Sequence, residues 1–168
     1  MSVALLGQLY DYHHWANRRL FEISAGLGEA VTSRPMGAPW SFPTLKGMFA
    51  HLYGADALWL ARWKGGSPAR LHDDEDFPTM ADLRARWDLL ESEQRAFVGG
   101  LAEADLASQF SYTNAQGTEF RLPLGPIVQH VVNHGTHHRS EVAAMLTLIN
   151  GSPPDTGIAS YRLTVVRG

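Results

Sequence analysis

The chain has 168 residues, of which 45% are hydrophobic and 18% are charged, a balance typical of a globular protein rather than a disordered one. Its formal net charge is -3 and its basic residues are scattered, so nothing predicts the cationic surface that nucleic-acid binding requires. The sequence contains no cysteine, which excludes disulfides, thiolate metal sites and a cysteine nucleophile.

The length predicts one domain, residues 1–168, with a substantial core. The first residues form neither a basic segment nor a long apolar run, and no window approaches the roughly 20 apolar residues of a membrane span. We therefore expect a soluble, cytoplasmic protein without a membrane partner.

In chain order, the first predicted element is an amphipathic helix over about residues 3–25, whose apolar side chains recur every three or four positions. A proline-rich loop follows, and Thr44 is a suitable N-cap for a second helix over about residues 45–64. The next loop contains the acidic run His72–Asp76, which we interpret as a solvated tip because it lacks the glycine and distal glutamate of an EF-hand loop.

A third helix is predicted to begin at Thr79, where Asp82 completes an approximate capping box. Residues 108–122 have the alternation and the turn residues of a short β-hairpin. A fourth helix is predicted from Pro126 to about Ile149, and we expect the tail after it to be irregular and packed on the surface. The predicted fold is all-α: a four-helix bundle with a short β-hairpin between helices three and four.

Histidines are concentrated in the fourth predicted helix, where His130, His134 and His138 recur at intervals of four. Helical residues four apart lie on one face with Cβ atoms about 5–6 Å apart, so two of these imidazoles can reach one metal ion. His51, in the second helix, is the best third candidate because a lone polar ring among apolar residues needs a partner. The pattern therefore predicts a metal site at His51, His134 and His138.

The histidine motif lacks residues that two known types of metal site require, and this excludes those types. Gly135 stands where the zincin motif places its general base, and a ferritin-like site would need additional glutamates. We predict a mononuclear three-histidine site with an open coordination position. His130 is left with three interpretations: a fourth ligand, a proton shuttle or a group that supports a ligand.

Several motifs of this chain resemble the DinB family (DinB/YfiT-like metalloenzymes). In order, they are Trp15–Leu20, Thr44–Leu45, Ala50–Leu52, Ala55–Asp56, Gln116–Gly125, His130–Arg139 and Pro153–Asp155. They span nearly the whole chain in the expected order. The resemblance implies a four-helix bundle, one divalent ion bound by His51, His134 and His138, and often a homodimer.

One position departs from the family pattern. The family usually continues His-His-Arg-Gly-Gln, whereas this chain has Ser140 and Glu141 after Arg139. Glu141 follows His138 by three residues and could orient that ligand or serve as a base. A carboxylate paired with Arg139 or with solvent is the simpler alternative.

The wider superfamily resembles thiol-dependent transferases and isomerases, so we expect a metal-dependent transferase that uses a low-molecular-weight thiol and acts on a small molecule. Two alternatives stay open: a hydrolase that uses metal-activated water, and a stress-associated metal-binding or scaffold protein without turnover. Imidazole ligands suit zinc or nickel. Tyr53, Asp56 and Trp15 are the predicted pocket residues.

Overall fold

The computed structural model describes residues 2–166, which are mostly helical and include one two-stranded antiparallel sheet. The α-helices are α1 (Val3–Ala25), α2 (Glu29–Thr32), α3 (Leu45–Trp63), α4 (Met80–Gly99), α5 (Leu124–Asn150) and α6 (Ile158–Tyr161). The strands are β1 (Gln109–Thr113) and β2 (Glu119–Pro123), and they form the predicted hairpin. None of these described helices is both long enough and apolar enough to cross a membrane.

The beginnings of two long helices are fixed by side-chain caps. Thr44 accepts a hydrogen bond from the Gly47 amide, and Thr79 and Asp82 form a reciprocal capping box at the start of α4. Both predicted caps are confirmed. Each satisfies backbone N–H groups that have no partner within the helix, which places the start of the helix at one residue.

The prediction of an irregular tail was wrong, because residues 158–161 form α6 and residues 162–166 a π-helical turn. Tyr161 is buried against α1, with its ring centroid 5.3 Å from that of Trp15. The helical turn therefore depends on a tertiary contact that no local pattern in the tail announces. Two further departures are the short helix α2 in the first loop and the start of α5 at Leu124, two residues before Pro126.

The directions of the long helices follow from their contacts. Helix α1 packs on α4 and α5, and α3 packs on the same two helices. Helices α3 and α4 run parallel, since Tyr53 contacts Trp87 in the first half of both and Trp63 stacks on Phe97 near the end of both. Helices α3 and α5 run antiparallel, a direction that brings the start of α3 beside the middle of α5.

The parallel pair α3 and α4 requires a connection that returns along the length of α3. Residues 64–79 make this return, and they cross α3 at Gly54. A Cβ atom at Gly54 would lie 2.4 Å from the carbonyl oxygen of His72, far inside van der Waals contact. The crossing is therefore open only to glycine, whose missing side chain admits the backbone of the returning segment.

The core between the long helices is apolar, with Leu6, Phe49, Leu83, Trp87 and Met145 fully buried. Among the polar side chains that it also encloses are two hydrogen-bonded sets. The first joins His14 on α1 to Gln94 on α4, where His14 Nε2 donates to Gln94 Oε1 at 2.9 Å. The second, described below, contacts the helices that carry the predicted metal ligands.

Replacement of two helical glycines by alanine should change stability in opposite directions. Gly54→Ala should lower the free energy of unfolding by about 1–3 kcal/mol, because the backbone at His72 must move. Gly7→Ala, in α1, has no heavy atom near the new Cβ and should raise the free energy of unfolding by about 0.5–1 kcal/mol. Urea unfolding measures both; equal effects at the two positions would contradict the close crossing.

The conformational stability of the protein should decrease as the pH is lowered from 7, and His14 is one cause. Burial lowers the pKa of His14 to about 4 from 6.5, so the unfolded chain takes up its proton at a higher pH than the folded one. The stability that this residue contributes is complete above pH 6.5 and is lost as the pH falls toward 4. Between pH 7 and 5 the loss should be about 2 kcal/mol.

The measurement is urea unfolding of metal-free protein at several pH values, compared with the neutral variant His14→Gln. His51 and His134 titrate in the same direction in both proteins, so the difference between the two slopes isolates His14. An unchanged slope in the variant would show that His14 is not the source.

Candidate metal centre

The antiparallel packing of α3 on α5 brings the three predicted ligands together. His51 Nε2 lies 3.2 Å from His134 Nε2 and 3.2 Å from His138 Nε2. The two histidines of α5 are one helical turn apart, and their ring centroids are separated by 4.5 Å. His51 is separated from His134 by 83 positions in the chain and from His138 by 87. The fold nevertheless directs the imidazole nitrogens of all three at one point.

This arrangement fits a divalent metal ion. Nitrogen ligands at about 2.0–2.1 Å from a tetrahedral ion lie about 3.3 Å from one another, close to the separations around His51. Three nitrogens at such distances repel one another through their lone pairs unless a proton or a cation lies between them. The three histidines thus have the chemistry and the spacing of a three-nitrogen metal site.

The electrostatics of the site keep two of the ligands free of protons. Burial lowers the pKa of His51 to about 4, and the neighbouring His138 acts in the same direction. Burial also lowers the pKa of His134 to about 4, with His138 and His51 as further causes. Both rings are therefore neutral at pH 7, the form in which imidazole binds a metal.

Glu141 orients one of the predicted ligands. Its Oε2 accepts a hydrogen bond of 2.8 Å from His138 Nδ1, which leaves Nε2 as the nitrogen with the free lone pair. Its Oε1 accepts from the Ser41 amide at 3.0 Å. Partial burial acts to raise the pKa of Glu141, but these hydrogen bonds outweigh it and leave the pKa below its usual value. Glu141 is thus held in place by both contacts as an anion.

A cavity of about 430 Å³ lies beside His51. Phe42 forms part of its wall and stacks on the His51 ring, with centroids 4.3 Å apart and planes inclined by 25°. Pro43 and Leu71 add apolar surface, and the returning segment adds polar groups at residues 72–75. The space suits a small organic molecule, and Phe42 limits the rotation of the ligand ring beneath it.

The other histidines of the motif lie outside the ligand group. His130 is exposed, with its ring edge-on to Trp59 and 6.0 Å from the ring of His134. His137 is exposed on a different side of α5. It forms a second metal-capable group with His138 and Glu141, but that group competes for the carboxylate that already binds His138 Nδ1. Among the described residues, the candidate site therefore has three ligands, His51, His134 and His138.

The predicted pocket residues are dispersed. Asp56 is 2% exposed and is bonded to His13 and to the indole of Trp87, inside the core. Tyr53 packs on Phe77, and Trp15 lies against the tail on the far side of α1. None of the three lines the cavity beside His51. A role for them in binding a cofactor stays a prediction.

Two residues that contact the site, Ser41 and Phe42, were not predicted from the sequence. Ser41 and Phe42 belong to the proline-rich loop, which has no periodic pattern from which their position could be predicted. Phe42 is one residue before Pro43 and two before the helix cap Thr44. A loop that leads directly into the ligand-bearing helix was the available indication, since its last residues must lie near the first turns of α3.

Comparison with known proteins identifies a family and a relative of this chain. The model of the DinB family matches residues 1–162. Protein DinB of Bacillus subtilis (strain 168) is 23% identical to this chain over 158 residues, which cover 90% of this chain and 91% of that protein. The first match agrees with the family indicated by the sequence motifs, and both extend over α1, α3, α4 and α5 together rather than over the histidine motif alone.

Removal of the charge on Glu141 should weaken metal binding. We expect Glu141→Gln to lower the affinity for zinc by about tenfold, because the amide orients and polarises the His138 ring less well. Ser140→Ala, at the neighbouring exposed position, is the matched control and should bind as the unchanged protein does. Competition with a chromophoric chelator measures the zinc affinity of both variants. Equal affinities would show that Glu141 does not contribute to metal binding.

Proposed function

The chain belongs to the DinB family, and we propose that it is a metal-dependent enzyme whose single divalent ion is bound by His51, His134 and His138. One observation carries the proposal: the three Nε2 atoms converge, with His51 Nε2 3.2 Å from each of the others, beside a cavity large enough for a small molecule. We also take the four long helices to form the predicted four-helix bundle, since each packs against two others.

The number of ligands supports a catalytic rather than a structural ion. Structural zinc sites are closed by four protein ligands, whereas catalytic sites have three and leave one position for water or substrate. His130, whose ring lies 6.0 Å from that of His134, packs on Trp59 outside the ligand group. Glu141 is engaged by His138 and by the Ser41 amide, so it orients a ligand instead of completing the coordination.

We propose that the reaction is the transfer of a group to or from a low-molecular-weight thiol. A divalent ion with three neutral ligands retains its full charge and, when bound, lowers the pKa of a thiol or water at its open position. The side chains around it supply the remaining functions. Phe42, Pro43 and Leu71 give the cavity an apolar wall for a small organic molecule, and Phe42 holds His51 in one orientation.

We choose a thiol over water because of the family resemblance and because Glu141, the carboxylate bonded to His138, is already hydrogen-bonded through both oxygens. A hydrolase of the zincin type uses a free carboxylate as the general base for its water. Here the two oxygens of Glu141 are occupied by His138 and Ser41. A thiol whose pKa is lowered by the ion needs no such base at neutral pH. Zinc and nickel are the metals that we expect.

Metal content should depend on the three histidines. The purified protein, reconstituted with zinc or nickel, should contain about one equivalent of metal, and His51→Ala and His134→Ala should contain almost none because a ligand is lost. His137→Ala removes an exposed histidine beside His138 and should retain the metal. Elemental analysis after gel filtration measures all four proteins. Metal retained in both ligand variants would show that the site is assigned wrongly.

The thiol can be tested on protein loaded with cobalt(II). Addition of 2-mercaptoethanol should produce a sulfur-to-cobalt charge-transfer absorption, and ethylene glycol, which has hydroxyl groups only, should not. The band should be absent in His134→Ala. If the protein binds cobalt but shows no band with any small thiol, the thiol part of the proposal fails and metal-activated water becomes the better explanation.

A further inference from the structure

Behind the ligands lies a cluster of buried polar side chains drawn from all four long helices. It consists of His13 and Asn17 on α1, Asp56 on α3, Trp87 on α4 and Arg139 on α5, and each of them is at most 3% exposed. Two of its members are close in sequence to ligands: Asp56 follows His51 by five residues, and Arg139 follows His138 directly. The cluster therefore touches the same two helices that form the metal site.

The ring of His13 lies between α3 and α5 and binds each through a different nitrogen. Its Nε2 is 3.1 and 3.2 Å from the two oxygens of Asp56, and its Nδ1 is 3.2 Å from Arg139 Nη1. Since arginine only donates, Nδ1 accepts, and the ring proton on Nε2 is donated to Asp56; the amide nitrogen of Asn17 also lies 3.1 Å from Nε2. One tautomer thus satisfies both helices, and the two opposite charges face each other across the ring.

His13 approaches α5 so closely at Gly135 that any side chain at that position would overlap its ring. A Cβ atom at Gly135 would lie 2.4 Å from His13 Cε1 and 2.7 Å from its Nδ1. Gly135 sits between the two ligands of α5, so the ring presses on the helix backbone at the turn that carries them. Arg139 is held on the same side by Asn17 Oδ1 at 2.9 Å and by Thr136 Oγ1 at 2.7 Å.

The positions of the ligands depend on this contact because they come from two helices. A metal site tolerates errors of only about 0.2 Å in its bonds, whereas packed helices can differ in separation by 1 Å or more. Apolar packing alone would leave the distance from His51 to the pair on α5 poorly defined. A ring hydrogen-bonded to α3 and in contact with the backbone of α5 defines it.

We propose that His13, held by Asp56 and admitted by Gly135, is a positioning residue that sets the separation of α3 and α5 and thereby the geometry of the metal site. This inference rests on the proposed function, since it requires that His51, His134 and His138 bind a metal. It assigns to Asp56 a role different from the predicted one: the carboxylate acts through His13 on the ligands and does not line a pocket.

The test compares cobalt(II) binding by the unchanged protein, Asp56→Asn, Gly135→Ala and His14→Gln. His14 is the matched control because it is adjacent to His13 and equally buried but bonds to Gln94 on α4. Competition with a chelator gives the affinity, and the visible d–d absorption reports the coordination geometry of the ion. Far-ultraviolet circular dichroism and urea unfolding report the fold and the stability of each protein.

We expect Asp56→Asn and Gly135→Ala each to weaken cobalt binding by 10-fold to 100-fold and to change the d–d spectrum. His14→Gln should lose stability but keep the affinity within about threefold and the spectrum unchanged. Gly135→Ala adds a single methyl group, so it provides the decisive result if Asp56→Asn does not fold.

Two outcomes would overturn the inference. If the unchanged protein binds cobalt and both cluster variants bind it equally well with the same spectrum, the cluster only stabilises the fold and the proposed metal site stands. If the unchanged protein binds no metal after reconstitution, the proposed function and this inference fall together.

Discussion

The separation of α3 from α5 governs the chemistry that this fold can support. Imidazole nitrogens converge only because two antiparallel helices are held at one distance, and no short loop joins those helices to impose it. The buried ring of His13 bridges them, with a carboxylate on one side and a guanidinium on the other. Buried charges of opposite sign cost desolvation energy, which makes such a cluster a poor source of stability but a good source of specific geometry. The position of the cluster directly behind the ligands agrees with that use.

The parallel packing of α3 and α4 has a second effect on the site. It obliges residues 64–79 to return along α3, and this returning segment supplies one wall of the cavity. The opposite wall comes from the loop that precedes α3, through Phe42 and Pro43. Both walls are thus consequences of the topology rather than of the ligand motif. A related chain with the same histidines but a different returning segment would have a different cavity around the same ligands.

The features that could be predicted from the sequence are those encoded within a few residues. The spacing of His134 and His138, the caps of α3 and α4 and the turn of the hairpin all depend on local geometry. His51 could be selected because one unexplained polar ring on an apolar helix needs a partner. The stacking of Phe42 and the burial of Asp56 could not, because each depends on a residue brought near by tertiary packing. Asp56 meets His13 across 43 positions of chain, and no periodicity reports such a distance.

The ligands are unevenly distributed along the chain, and this has a consequence for folding. Two of them are four residues apart and remain neighbours in any helical fragment, while the third is 83 residues from the nearer of the two. Closing a loop of that length costs an unfolded chain about 4 kcal/mol of conformational entropy. An unfolded chain can therefore offer an ion only the local pair, and the complete site exists only in the folded protein. On the proposed assignment of the three histidines to one ion, metal affinity and conformational stability are linked, and the bound ion shifts the folding equilibrium toward the native state.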